Sequence, residues 1–420
     1  MSSIILSFVG SQDPYSNNTE LEGSIVTLVT HLLHINQPIK QVILLHTDTT
    51  QQNAIDTKAW LESAPANLPP ECITIKLVDP TLSADPVNLL IAAQESRKAI
   101  DLARTQMDSQ DTLEFNASSG TPVMKSVWSV LQAAGYAPQG RIWQVRHPKE
   151  MQPDQERVFT TDVTTLKDEF DRKVIAQQVQ DYNYSGAAIT LKESKLACPV
   201  TVALLEYGYH RRALNFDRAF SVIDSLRKQI DPCWISEITP LRQKNSQALL
   251  KEAYFNALLR LKTQQYADFL VSLFRLQEQL LYYLVQEKIG LDVSGKFLDK
   301  ARSIEVIKQV DEGKLYQFLQ NYTLPRGGTL DMNRGISRYV FQAIVEYYPK
   351  FETLVPLIQN LNYYCDLRND SVHGFVGVSE IEDEPTLLNT LRQIMKQVTP
   401  LPDCNPFDRL NQDILDSLKT

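Results

Sequence analysis

Near the C-terminal end of the chain, "RNDSVHGF" (368–375) sets Arg368 and His373 five positions apart, with Asn369 directly after the arginine. A histidine can take up and release a proton near neutral pH, and a guanidinium can neutralise charge that builds on a phosphate. Asn369 could fix the imidazole or hold a nucleic-acid backbone. Without a carboxylate or cysteine cluster beside them, these residues suit metal-free cleavage of RNA, in which the 2′-hydroxyl attacks the neighbouring phosphate. Spacing alone says little, because an Arg four to six residues ahead of one of six histidines is expected about once by chance. Arg141 and His147 in "RIWQVRH" are a second instance, in a strand-like stretch. The plain alternative is a surface helix end whose histidine suits the helix dipole.

Context separates the two cases. An apolar, aromatic helical stretch, "VPLIQNLNYYCDL", leads into the first, and Gly374 and Gly377 close it. On a regular helix, residues five apart are offset by roughly 140°. Arg368 and His373 then converge only if the last turn is irregular or if a second copy of the segment completes the site. The second option predicts a two-fold dimer.

A different chemistry is suggested by "FNASSGTP" (115–122), where a strand gives way to a helix. Thr121 is placed to cap that helix and Pro122 to occupy its first turn. Asn116, Ser118, Ser119 and Gly120 precede them in a small, flexible turn. Backbone N–H groups at such a junction favour an anionic ligand at the carboxyl end of the sheet. The first strand ends similarly, in "GSQDPY", so Gly10, Ser11 and Gln12 are expected to face the other loop across the switch point. Good turn and cap chemistry explains the same residues without a ligand. There is no G-x-G-x-x-G and no G-x-x-x-x-G-K-[ST], which disfavours ordinary dinucleotide or triphosphate binding.

Two kinds of element must position these residues. Up to 147, short apolar stretches ("SIILSFVG", "QVILLHT", "TIKLVD", "DTLEFNAS", "RIWQVRH") alternate with amphipathic helical ones. Near-continuous apolar strands separated by helices imply a doubly wound, Rossmann-like parallel sheet. "HPKEMQPDQERVFTTDV" (147–163) reads as a connector, and beyond 164 the period is helical throughout. No short-period repeat and no low-complexity tract is visible.

The 420 residues suffice for two or three domains. No apolar run approaches a membrane span, and "MSSIILSFVGSQ" reads as a strand without a basic leader, so a cytoplasmic protein is expected. Cysteines 72, 198, 233, 365 and 404 are isolated, which suits reduced thiols and offers no zinc site. A net charge of −8 argues against a broad nucleic-acid-coating surface but leaves room for a basic pocket.

Taken together, the "SGTP" loop and "LRNDSVHGF" resemble the CARF–HEPN ribonucleases, ancillary effectors of type III CRISPR systems, over essentially the whole chain. "RNDSVHG" is similar to the R-x4-6-H motif of HEPN domains, which implies Arg368 and His373 as the catalytic pair. "FNASSGTPVMKSVW" and "FVGSQ" resemble the ligand loops of CARF domains. "YADFLVSLFRLQEQLLYYL" (266–284) resembles the HEPN helix that backs the active site, and "DYNYSGAAITL" (181–191) the start of a helical linker. The resemblance implies a CARF domain over 1–150, a connector and helical linker over 151–245, and a helical HEPN domain over 246–420. It also implies a homodimer activated by a cyclic oligoadenylate to cut single-stranded RNA without a metal, with tetra-adenylate ahead of hexa-adenylate on family prevalence. Whether the CARF domain degrades its activator is left open. Arg326, Arg334 and Arg338 are candidates to line the RNA cleft. The competing readings are a ligand-sensing regulator without catalysis and a toxin-type HEPN nuclease with another activator.

Overall fold

The structure is a computed structural model that describes residues 2–16, 21–137, 139–293, 300–324, 327–332, 336–374 and 377–419; at 150, 366 and 369–374 it describes the backbone alone. The chain divides into two compact units, Met1–Lys173 and Val174–Thr420.

The first unit is built on a six-stranded sheet: β1 (Ser3–Phe8), β2 (Ile39–His46), β3 (Ile73–Leu77), β4 (Thr112–Asn116), β5 (Arg141–Val145) and β6 (Val158–Thr161), in the order β3-β2-β1-β4-β5-β6. The first five are parallel, and β6 runs antiparallel to β5 at the edge. β1 shows why its sequence is nearly continuously apolar. Ile4, Leu6 and Phe8 enter one core with Phe115 and Trp128, while Ile5 and Val9 enter the other with Val29 and Trp143. Both faces of the sheet are covered, so alternate side chains have no solvent to face. The stretch 147–163, expected as a connector, supplies β6. Its four residues, Val-Phe-Thr-Thr, are too few and too mixed to stand out as a strand.

The order of strands puts the switch point between β1 and β4, and the loops that leave these two neighbours are the ones that carry Gly10–Gln12 and Ser118–Thr121. Behind them the sheet buries a charge. Glu114 on β4 is fully inaccessible and lies opposite Arg141 on β5. It accepts from Arg141 Nε (3.0 and 3.1 Å), Trp143 Nε1 (2.6 Å) and Ser3 Oγ (2.9 Å). The Arg141 of the second Arg–His coincidence is thus a structural partner.

The second unit is helical in its described residues, apart from an isolated bridge between Thr323 and Thr329. One turn recurs in it four times. Tyr182, Leu214, Lys244 and Gln264 adopt φ of 55°, 58°, 55° and 57°. The next residue, Asn183, Asn215, Asn245 or Gln265, is in each case the N-cap of the following helix. The N–H of that residue returns to a carbonyl five positions back, from Asn183 to Gln178 (2.7 Å), Asn215 to His210 (2.9 Å), Asn245 to Pro240 (3.0 Å) and Gln265 to Arg260 (2.9 Å). A left-handed helix end thus passes directly into the next helix start. Residues 247–290, a single apolar-periodic run in the sequence, are split by the last of these turns, which parts the helices Ser246–Lys262 and Tyr266–Tyr283.

Candidate active site and ligand pocket

The helix Val355–Gly374 carries the Arg–His motif. Leu354, Ile358, Leu361 and Cys365 form its buried stripe, at spacings of four, three and four, and Arg368 is the next position in that series. The arginine therefore points the way the core side chains point. Its guanidinium carbon lies 4.7 Å from the ring centre of Phe274, on the packed helix Tyr266–Tyr283. Arg338, at the start of the helix Arg338–Tyr347, lies 5.4 Å from the same ring. Burial holds the Glu278 carboxyl above its usual range, against the pull of nearby Arg338, Arg368 and Arg275. Three guanidiniums thus gather around one carboxylate, two of them against one aromatic ring, an arrangement suited to a polyanion.

Gln277 ties this group together. It is fully buried, donates to the Ile358 carbonyl (3.2 Å) and Asn362 Oδ1 (3.1 Å), and accepts from Arg338 Nη1 and Cys365 Sγ (3.0 Å). A buried amide with hydrogen bonds to three positions of one helix and to an arginine at the start of another fixes the register among them. Sequence reasoning passed over Gln277, although a polar residue inside the stripe Leu273, Leu276, Leu280 was a signal.

The helix stays α-helical from Val355 to Gly374. Arg368 and His373 are therefore about 140° apart around one helix. Asn369 and His373 lie on it, and their side chains are outside the described residues. Arg326 and Arg334 also lie outside the described residues. No three His, Cys, Asp or Glu side chains gather into a candidate metal cage among the described residues.

In the first unit, a cavity of about 570 Å³ opens at the switch point. Gly10, Ser11, Gln12, Ser118, Ser119 and Gly120 all line it. The two loops touch. A Cβ on Gly10 would stand 3.0 Å from the backbone nitrogen of Gly120, and Gly120 itself holds φ +88° against Met124 and Phe8. Neither position has room for a side chain. Asn116, Thr121 and Pro122 stand behind the cavity. Buried Asn116 accepts from the Ser118 N–H (3.0 Å) and donates to Ser7 Oγ (3.1 Å) and Ser24 Oγ (3.2 Å). Thr121 caps the helix Pro122–Ala133 by accepting from the Met124 N–H (3.3 Å), with Pro122 in its first turn.

Sequence reasoning missed the residues that give the cavity its charge. Lys125, Arg146, His147 and Arg157 line it from three different places along the chain. Asp13 latches the loops, its carboxylate accepting from Ser119 Oγ and from the N–H groups of Gly10 (3.0 Å) and Ile25 (3.4 Å). Burial pushes the Asp13 carboxyl up, opposed by these hydrogen bonds and by Lys125. The cavity is a cationic, amide-rich cradle for an anion.

A parallel sheet with this cradle at its switch point, followed by a helical unit with an Arg–His helix, has the two-domain fold of the CARF–HEPN proteins. Residues 238–418 match the family model of the Cas_Csm6 HEPN domain. Among solved structures, the chain is similar in fold to Enterococcus italicus Csm6 bound to cyclic hexa-2'-fluoro-hexa-dAMP. The two are 15% identical, the match covers 99% of this chain and 100% of that one, and the TM-score is 0.64. No curated protein matches the chain.

Proposed function

We propose that the chain is an ancillary ribonuclease of a type III CRISPR system, switched on by a cyclic oligoadenylate and cutting single-stranded RNA. The observation that carries this reading is Arg368, which extends the buried stripe of its helix to sit beside Arg338 within a segment matching the Cas_Csm6 HEPN domain. The cationic cradle at the switch point supports an anionic activator, and the ligand of the similarly folded Csm6 supports a cyclic oligonucleotide. A ring with two-fold symmetry suits two identical cradles across a dimer axis. The same dimer would bring two motif helices together, which supplies the convergence that one regular helix denies to Arg368 and His373.

The proposed chemistry needs no metal. The 2′-hydroxyl attacks the adjacent phosphate, the 5′-oxygen of the next nucleotide leaves, and the upstream product ends in a 2′,3′-cyclic phosphate. His373 moves the protons, Arg368 stabilises the phosphorane charge, and Asn369 orients the imidazole or the RNA backbone.

The test is cleavage of a labelled RNA with no ring, with cyclic tetra-adenylate and with cyclic hexa-adenylate, each in EDTA. Cleavage that depends on one of the rings, persists in EDTA and fails when the nucleotide at the cut is 2′-deoxy supports the reading. Mass spectrometry should then find the cyclic phosphate. A downstream fragment with a 5′-phosphate, made only with added magnesium, would overturn the assigned chemistry.

A further inference from the structure

A further cavity in the second unit shares no lining residue with either site above. It measures about 740 Å³ and is lined where the recurring turns meet, by Gln180–Ser185, Tyr209, Arg212–Ala213, Arg260 and Lys262–Gln265. Three of the lining residues are cations brought together from two helices. Arg212 and Arg260 are close enough that Arg260, after burial, is the next largest cause holding the Arg212 guanidinium below its usual range. Arg212 donates to the Tyr182 carbonyl, and no carboxylate among the described residues pairs with it. Arg260 donates to Gln265 and stands 3.6 Å from exposed Asp268, and Lys262 Nζ is 3.0 Å from Asp408. Asp181 also lines the cavity, so its charge is not uniformly positive.

A half-buried guanidinium beside a like charge and without an anion is costly, and an anionic ligand removes that cost. The remaining lining narrows the ligand. Tyr209 is 49% exposed and offers a ring face, and Gln180, Asn183, Gln264 and Gln265 offer amides. Phosphate-seeking cations, a stacking ring and amides together are the means by which proteins hold single-stranded nucleic acid. We infer that this cavity is an accessory single-stranded RNA site, which grips a phosphate and its base on a flank of the RNA. Arg212, Arg260 and Lys262 hold the phosphates and Tyr209 stacks on the base. The inference deepens the ribonuclease reading and rests on it only for the identity of the RNA as substrate.

The test measures binding directly, so that it survives failure of the ribonuclease reading. Fluorescent single-stranded RNA is titrated into the full chain carrying His373→Ala, alone and combined with Lys262→Ala, Arg260→Ala or Tyr209→Ala, across a salt series. Each cation removed should weaken binding and lower the slope of log affinity against log salt by about 0.7. Tyr209→Ala should weaken it on the order of tenfold with the slope unchanged. Arg212→Lys, which keeps the charge, should leave the slope intact and guards against mere misfolding. Unchanged affinity and slope in all three variants would overturn the site. So would AMP occupying the cavity, seen by loss of Tyr209 fluorescence quenching by RNA, while RNA affinity stays the same. If the unmutated chain cuts no RNA with any ring and yet these variants weaken binding, the accessory site stands and the ribonuclease reading falls.

Discussion

At the scale of single residues, the proposed chemistry rests on two side chains with unequal structural duties. His373→Ala is expected to lower cleavage by about two orders of magnitude or more, with the melting temperature unchanged, since it lies in the last turn of its helix. Arg368→Ala should be as inactive, and Arg368→Lys nearly so, because an ammonium cannot keep the flat contact with Phe274 and a fork of donors. Robust cleavage by purified His373→Ala protein would end the assignment. Gln277→Leu should cost about 1–3 kcal/mol, since it strands the Arg338 and Asn362 groups it joins, and should lower the cleavage rate more than RNA affinity. Thermal melts and single-turnover rates check both parts. Asp13 makes a prediction in pH. Its folded pKa is raised above the ordinary 3.8, so the folded state holds that proton more tightly than the unfolded state. Its contribution to stability is full below 3.8 and is lost as pH rises through the raised value. Denaturant titrations of Asp13→Asn against the parent should show this part of the pH slope removed. An identical slope in both would mean Asp13 is not the group responsible.

At the scale of elements, the recurring turn is the clearest target. Lys244 is exposed and left-handed, a conformation that costs about 1–2 kcal/mol outside glycine. Lys244→Gly should therefore stabilise the second unit by about 0.5–1 kcal/mol, and Asn245→Ala should cost about 1 kcal/mol by removing the cap on the Ala248 N–H. In the sheet, Arg141→Ala leaves buried Glu114 without its guanidinium. A loss of about 2–3 kcal/mol is expected after discounting for the half-exposed arginine, with no effect on the cleavage step in the folded protein. These elements also mark what the sequence could disclose. Five parallel strands and both cradle loops were legible because a strand covered on two faces is apolar on both, with few polar interruptions, and a strand-to-helix junction has its own residue types. Arg368 stood out through its spacing from His373 after an apolar helix, and its place on the core stripe emerged only with the fold. The cradle's Lys125, Arg146 and Arg157 were not, because ordinary cations scattered over 33 positions become a site only when β5, β6 and the helix after β4 meet. The four turns were hidden for the opposite reason. They share a backbone conformation and one amide residue, and too little else to form a visible repeat.

At the scale of the molecule, an activator bound in the first unit can raise cleavage in the second only by binding the active state more tightly than the idle one. Lys125→Ala should therefore raise the half-maximal ring concentration about tenfold while leaving ring-free cleavage as it was. An unchanged half-maximal concentration would move the activator elsewhere. Lys125 is the sounder target than Gly120, where any side chain strains the loop whether or not it repels phosphate. The four like-built turns have a consequence for how such a chain can change length. One residue added inside a helix rotates everything beyond it by about 100° and shifts it by about 1.5 Å, which would swing Arg368 out of the stripe that places it. The four left-handed turns lie outside every helix, 32, 30 and 20 positions apart, and enclose two, two and one helices. A change of length between Asn183 and Gln265 is therefore borne at these joints, where it leaves the phase within each helix as it was.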